Sequence, residues 1–174
     1  MTETRIRRAT AADAGTLAAL AERTFRDTFA AVNTPEDMAA HAAASYGVDK
    51  QRAEIESEHI RTLVADAEDS AVAYAQLRHG HRPDCVSVDE AVELWRFYID
   101  RDWIGHGLAQ RLMEAVFAEA SSMDARGLWL GVWEHNPRAI AFYRKCGFVE
   151  VGAHAFQLGA DAQTDLIMQR ALST

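Results

Sequence analysis

The sequence predicts an α/β fold in which helices wrap a mixed sheet. Three features of the 174 residues point to it. Some segments repeat apolar residues at helical spacing, and others form short apolar or alternating runs. The two kinds interleave in the order β-α-α-β-β-β-α-β-α-β-β. At this length one domain, residues 1–174, encloses a full core.

Arg5-Ile6-Arg7-Arg8-Ala9 reads as the first strand. Thr10 caps the first helix, with Asp13 at the return position of a capping box. Leu17, Leu20, Ala21, Thr24, Phe25 and Phe29 then recur at helical spacing, so this helix buries one face. A second helix starts at Thr34-Pro35-Glu36-Asp37: a cap, a proline at the first helical position, and acids in the first turn. It ends near Tyr46-Gly47, and another helical turn or two lie between Asp49 and Glu58.

Arg61–Asp66 and Ala71–Leu77 read as a hairpin turning through Ala67–Ser70. The polar stretch from Arg78 to Glu90 reads as a loop and as the most mobile segment. Ala91–Ile99 is a long strand, whose alternation places Glu93, Trp95 and Phe97 on one face. Gly107–Ala120 is an amphipathic helix with Leu108, Leu112, Met113, Val116 and Phe117 on one side. Gly127–Val132 is a strand, Pro137–Lys145 a helix stopped by Gly147, and Phe148–Val151 begins another strand. After a turn at Gly159, Asp165–Leu172 is the last strand.

The net charge of −8 argues against a nucleic-acid partner, which would require a basic face. It favours a cationic small molecule mildly, since a modestly acidic surface also serves plain solubility. Cys85 and Cys146 show neither CxxC nor Cys/His spacing, which predicts a reduced, cytoplasmic protein. The start, Met1 to Ile6, lacks the apolar core of a signal peptide. No stretch reaches the roughly 20 apolar residues that cross a bilayer, so no membrane partner is expected. No HExxH or Cys/His cluster suggests a metal, and His79 and His81 read as exposed loop.

Two segments carry chemistry. Ile99 to Ala109 joins a strand to a helix through Gly105-His106-Gly107. Glycine lets backbone N–H groups approach an anion, and the helix adds its free amides and positive end. It lacks the Gly-Lys-Ser/Thr ending of an NTPase loop and the third glycine of a dinucleotide fingerprint. Leu128 to Phe148 is the second: a buried strand, an Asn136-Pro137 helix start, and Tyr143 two turns in. A helix start can hold a small acyl or phosphoryl group there, and the phenol can deliver a proton.

The pattern Asn136-x-x-Ala139-x-x-x-Tyr143-x-x-x-Gly147-Phe148, about thirty residues after the Gly105-His106-Gly107 loop, resembles the GCN5-related N-acetyltransferase (GNAT) superfamily. Further blocks resemble the PaiA-type spermidine/spermine N-acetyltransferases within it. They are Thr24–Phe29, Asn33–Met38, Trp129–Glu134, Gly147–Phe156 and Gln163–Met168. The resemblance implies a central, mostly antiparallel mixed sheet flanked by helices. It also implies an acetyl-CoA-dependent acyltransferase that moves an acetyl group to a primary amine such as spermidine or spermine, by direct attack. Room is left for a homodimer.

The same resemblance assigns site residues. The family loop reads Gln/Arg-x-x-Gly-x-Gly/Ala; here Ile104 stands at the Gln/Arg position, which leaves the backbone amides of Gly105, His106, Gly107, Leu108 and Ala109 for the pyrophosphate. The pantetheine arm would pair along Phe97, Tyr98 and Ile99 like an added strand. Backbone N–H groups there are candidates for the oxyanion. Asn136 caps its helix and can also bond the arm, and Ala139 is small enough for close passage. Tyr143 would protonate the leaving thiolate, and Glu93 would serve as base. Asp27, Glu93 and Glu134 are the candidate carboxylates for ammonium groups, though each reads as well as a surface charge. Two rival activities stay open: a protein or peptide N-acetyltransferase, and a CoA-binding regulatory module without catalysis.

Overall fold

The computed structural model describes residues 3–173, apart from the side chain of Phe156. The chain runs β1 (Thr4–Arg8), a 3-10 turn (Ala11–Asp13), α1 (Ala14–Phe29), α2 (Pro35–Ser45) and α3 (Val48–Glu56). Then come β2 (Ile60–Ala67), β3 (Ser70–Arg78), β4 (Ala91–Ile99) and a second 3-10 turn (Arg101–Trp103). The last elements are α4 (Leu108–Ser122), β5 (Gly127–Trp133), α5 (Pro137–Lys145), β6 (Val149–Leu158) and β7 (Asp161–Ala171). Local chemistry sets many of these ends. Asp13 accepts from the Thr10 amide at 2.7 Å, and Thr34 Oγ1 accepts from the Asp37 amide at 3.1 Å with Pro35 behind it.

The strands form one sheet in the order β1-β2-β3-β4-β5-β7-β6. Every neighbouring pair is antiparallel except β4 and β5, which run parallel. That parallel ladder is short: Ala91, Val92 and Glu93 pair with Gly127, Leu128 and Trp129, and pairing stops there. Beyond it no ladder joins the two strands, so residues 94–99 of β4 and 130–133 of β5 bound an unpaired wedge in the sheet.

Each face of the sheet has its own core. On one face Leu112, Met113 and Val116 of α4, with Ile140 and Tyr143 of α5, pack on Ala75, Leu77, Leu94 and Leu130. On the other, Leu17, Leu20 and Phe25 of α1 and Met38 of α2 pack on Val64 and Tyr74. Burying one such large side chain contributes about 1.5–3 kcal/mol. Among the described residues no helix is long and apolar enough to cross a membrane.

Three sequence expectations change. The residues from Val48 form a full helix, α3, whose buried positions are Gln51 and Glu54. A buried face that is polar leaves no apolar period to read. Glu54 Oε2 accepts from Arg96 at 2.6 Å and from Gln76 at 3.2 Å, whereas Glu54 Oε1 and Gln51 Oε1 are buried with no hydrogen-bond partner among the described residues. The stretch before β4 has no regular structure, yet it is pinned. Gln169 accepts from the Ser87 amide at 2.8 Å and donates to Ser87 Oγ at 2.9 Å, and Val86 is buried.

The third change concerns Glu93. Gln76 pairs with Arg96, but Leu77 pairs with Leu94, so Trp95 is the extra residue of a β-bulge. Alternation therefore shifts by one across Trp95. Leu94 and Phe97 both face α4, whereas Glu93 lies on the opposite face, the one carrying Tyr98. Glu93 and Phe97 do not share a face.

Candidate active site

The path from β4 to α4 holds two left-handed glycines, Gly105 at φ +86° and Gly107 at φ +78°. Gly107 is the N-cap of α4 and supplies no side chain to cap it. The first amides of the helix, from Leu108 and Ala109 onward, have no partner within the helix and none elsewhere among the described residues. Nothing lies within 4 Å of where a Cβ would stand at either glycine. Leu108 buries its side chain in the core, so only its amide is offered; His106 and Ile104 stand exposed. The arrangement fits an anion held by backbone.

β5 leads directly to α5. Asn136 Oδ1 accepts from the Ala139 amide at 3.2 Å, the Asn136 side-chain NH2 has no hydrogen-bond partner among the described residues, and Pro137 takes the first helical position. This cap aims α5 so that Tyr143 meets β4. Its ring lies 6.2 Å from Phe97 edge-on and 5.8 Å from Phe148, while Phe142 stacks on Phe97 at 5.6 Å. Burial holds the Tyr143 phenol protonated well above its ordinary range, with Cys146 adding to the shift. The neutral phenol therefore carries its proton at the site, although burial also makes it the weaker acid.

The wedge brings Phe97, Ile99 and Tyr143 together on the α4 and α5 side, and Tyr98 lies on the α1 side. The three predicted carboxylates are not brought together. Glu93 accepts from Arg78 at 2.5 Å and stands at the closed end of the wedge, paired with Trp129. Asp27 is exposed on α1. Glu134 lies five steps beyond Trp129, about 17 Å at the rise of an extended strand. It lines a cleft of about 340 Å³ with Trp133, Asp161, Gln163 and Thr164.

Asp165 is the residue that sequence reasoning passed over. It sits on β7, paired with Trp133 on one side and His154 on the other. Its Oδ2 lies 3.0 Å from where a Cβ of Gly131 would stand, so Gly131 leaves the room this carboxylate occupies. Burial pushes its pKa up to about 6, against the opposing effect of His154. Only the crossover that seats β7 beside β5 creates this contact. A lone aspartate in an alternating strand gives no local signal of it.

Comparison with known proteins agrees with this geometry. Residues 19–148 match the family described as the acetyltransferase (GNAT) family. An uncharacterized N-acetyltransferase from the pepI 3' region of Lactobacillus delbrueckii subsp. lactis is 31% identical over 154 residues, 88% of this chain and 89% of that protein. One from Mycobacterium tuberculosis (strain ATCC 25618 / H37Rv), also uncharacterized, is 34% identical over 160 residues, 92% and 98% of the two chains. Among solved structures, the PaiA N-acetyltransferase of Thermoplasma acidophilum in complex with coenzyme A superposes at a TM-score of 0.79. It is 20% identical, over 97% of this chain and 99% of that one. The ribosomal-protein-S18-alanine N-acetyltransferase of Escherichia coli gives 0.68 at 18% identity, over 99% and 96%. At such identities the structural likeness shows a shared fold.

Proposed function

The chain belongs to the acetyltransferase (GNAT) family, and from that premise we propose that its acceptor is a primary amine of the polyamine class, acetylated in the wedge between β4 and β5. It is an N-acetyltransferase that uses acetyl-CoA as donor. The thioester supplies an acetyl group already activated for attack.

The observation that carries the site assignment is the wedge itself. The unpaired edge of β4 at Phe97, Tyr98 and Ile99 offers backbone groups to an extended pantetheine arm, as a neighbouring strand would. The chain then leads to the uncapped start of α4, where the amides of Gly105, His106, Gly107, Leu108 and Ala109 receive the pyrophosphate. Asn136 offers its free NH2 group, and Ala139 keeps the start of α5 slim. Tyr143 holds the proton for the sulfur, and backbone N–H groups of β4 stabilise the oxyanion.

The polyamine reading rests on the cleft beyond β5. Glu134 and Asp161 supply negative charge beside the Trp133 ring, a combination that suits an alkylammonium group. The net charge of −8 favours the encounter. Asp27 lies on the adjoining α1 as a more distant contributor. Release of CoA thiol, measured with spermidine, spermine and peptides bearing free N-termini, tests the reading. We expect the polyamines to give the higher kcat/KM, falling as salt rises. Preference for a peptide overturns the acceptor class, and silence with every amine overturns catalysis.

A further inference from the structure

We infer that Asp165, rather than Glu93, is the carboxylate that receives the acceptor ammonium and takes its proton. This rests on the acetyl-transfer reading above and deepens it.

Position comes first. Residues directly opposite in a sheet project from the same face, so Asp165 shares a face with its partners Trp133 and His154. That is the face covered by α1 and α2, on which Trp133 meets Phe29 at 5.2 Å. The carboxylate rests against β5 at Gly131, inside the stretch of β5 that β4 does not pair with. Asp165 is thus at the wedge, on the side opposite Tyr143. A donor seated along β4 and an amine bound by Asp165 would approach the wedge from its two sides.

Availability comes second. The Asp165 carboxylate has no hydrogen bond or ion pair among the described residues, although it is half-buried. A carboxylate withdrawn from water without a partner is costly, and a bound cation removes that cost. Glu93 has no such vacancy: Arg78 already holds it, at the closed end of the wedge. The titratable groups facing Asp165 are His154 on β6 and Tyr98 on β4, while β5 presents only Gly131 and Trp133. Tyr98 is kept protonated by burial, and both Tyr143 and Asp165 are among the groups whose charge it senses. Held protonated, it does not compete for the amine's proton.

The proton balance is simple. The ammonium gives one proton to Asp165, which passes it to solvent. The amine lone pair forms the new C–N bond at the thioester carbonyl, and the C–S bond breaks. The sulfur takes the Tyr143 proton. The nitrogen's second proton leaves to solvent, from which Tyr143 is reprotonated. The net products are the amide, CoA thiol and one proton.

The test is Asp165→Asn, read by the pH profile of kcat/KM for spermidine and by calorimetric titration with acetyl-CoA. The wild-type profile should rise through pH 6 as Asp165 ionises. In the variant that limb should vanish and kcat fall by about 10²–10⁴, the usual worth of a general base. Acetyl-CoA affinity should stay within about twofold, because the donor is held elsewhere. Should the variant fail to fold, Gly131→Ala replaces it: the added Cβ presses on the carboxylate and should lower kcat without changing acetyl-CoA affinity. A folded Asp165→Asn enzyme with the wild-type limb and rate overturns this assignment alone. A wild-type protein silent with every amine overturns it together with the acetyl-transfer reading.

Discussion

Arg96 Nη1 donates to Glu54 Oε2 at 2.6 Å, with both side chains less than a tenth exposed. The same guanidinium donates to Gln76 Oε1 at 2.6 Å and lies over the Trp95 ring at 3.8 Å. The pair therefore fastens α3 to β4 beside the bulge that turns Glu93 away from Phe97. Removing one member leaves the other charged and buried. Glu54→Ala should cost about 3–5 kcal/mol of stability, as broken buried pairs do. Chemical denaturation of the variant checks this, and a loss below about 1 kcal/mol would mean water replaces the carboxylate.

Gly107→Val should weaken acetyl-CoA binding. The residue sits at φ +78°, where a β-branched side chain is strained by on the order of 1–3 kcal/mol. The Cβ meets open space, so the effect should fall on ligand approach more than on the core. Calorimetry on the folded variant reads it directly; unchanged affinity would move the pyrophosphate elsewhere.

Tyr143→Phe keeps the ring against Phe97 and Phe148 and removes only the hydroxyl. If the phenol protonates the thiolate, kcat should fall by about 10²–10⁴ while acetyl-CoA affinity is retained. A kcat within about twofold of wild type, with chemistry rate-limiting, would leave Tyr143 as a packing residue.

Asp165 should also cost stability. Its pKa is near 6 in the fold, above the 3.8 of an ordinary aspartate. Below about pH 4 it is protonated folded or unfolded, and no penalty arises. Between these values only the unfolded chain ionises, so stability falls as pH rises through the window. Above it the penalty is constant, on the order of 1–3 kcal/mol. Asp165→Asn should therefore be the more stable protein at pH 8, its advantage disappearing by pH 4. Thermal melts across that range decide it, and an advantage independent of pH would point to packing instead.

What the sequence made legible was local. Thr34-Pro35 and Asn136-Pro137 mark helix starts because a cap and a proline act on their own few residues. The stripe from Leu108 to Val116 shows α4 because its buried face is apolar. The polar face of α3 erased the same signal there. The orientation of Glu93 depends on one extra residue in a strand pairing, and the opportunity of Asp165 on which strand lies beside β5. Both facts belong to contacts between distant segments. The candidate site along β4 and α5 was thus readable as motif, whereas the proposed proton acceptor required the folded chain.

The three-residue ladder between β4 and β5 divides the sheet into two leaves, one of β1 to β4 and one of β5 to β7. A donor hydrogen-bonded inside the wedge would act as a removable binding between them. Saturation should then slow amide exchange across the wedge edges, residues 95–99 and 130–133, more than in the distant β1–β2 pair. It should also raise global stability by about 2.7 kcal/mol at a hundred times Kd. With the donor seated there, the enzyme would be at its loosest when empty, and the first substrate to arrive would close the sheet that the second one needs.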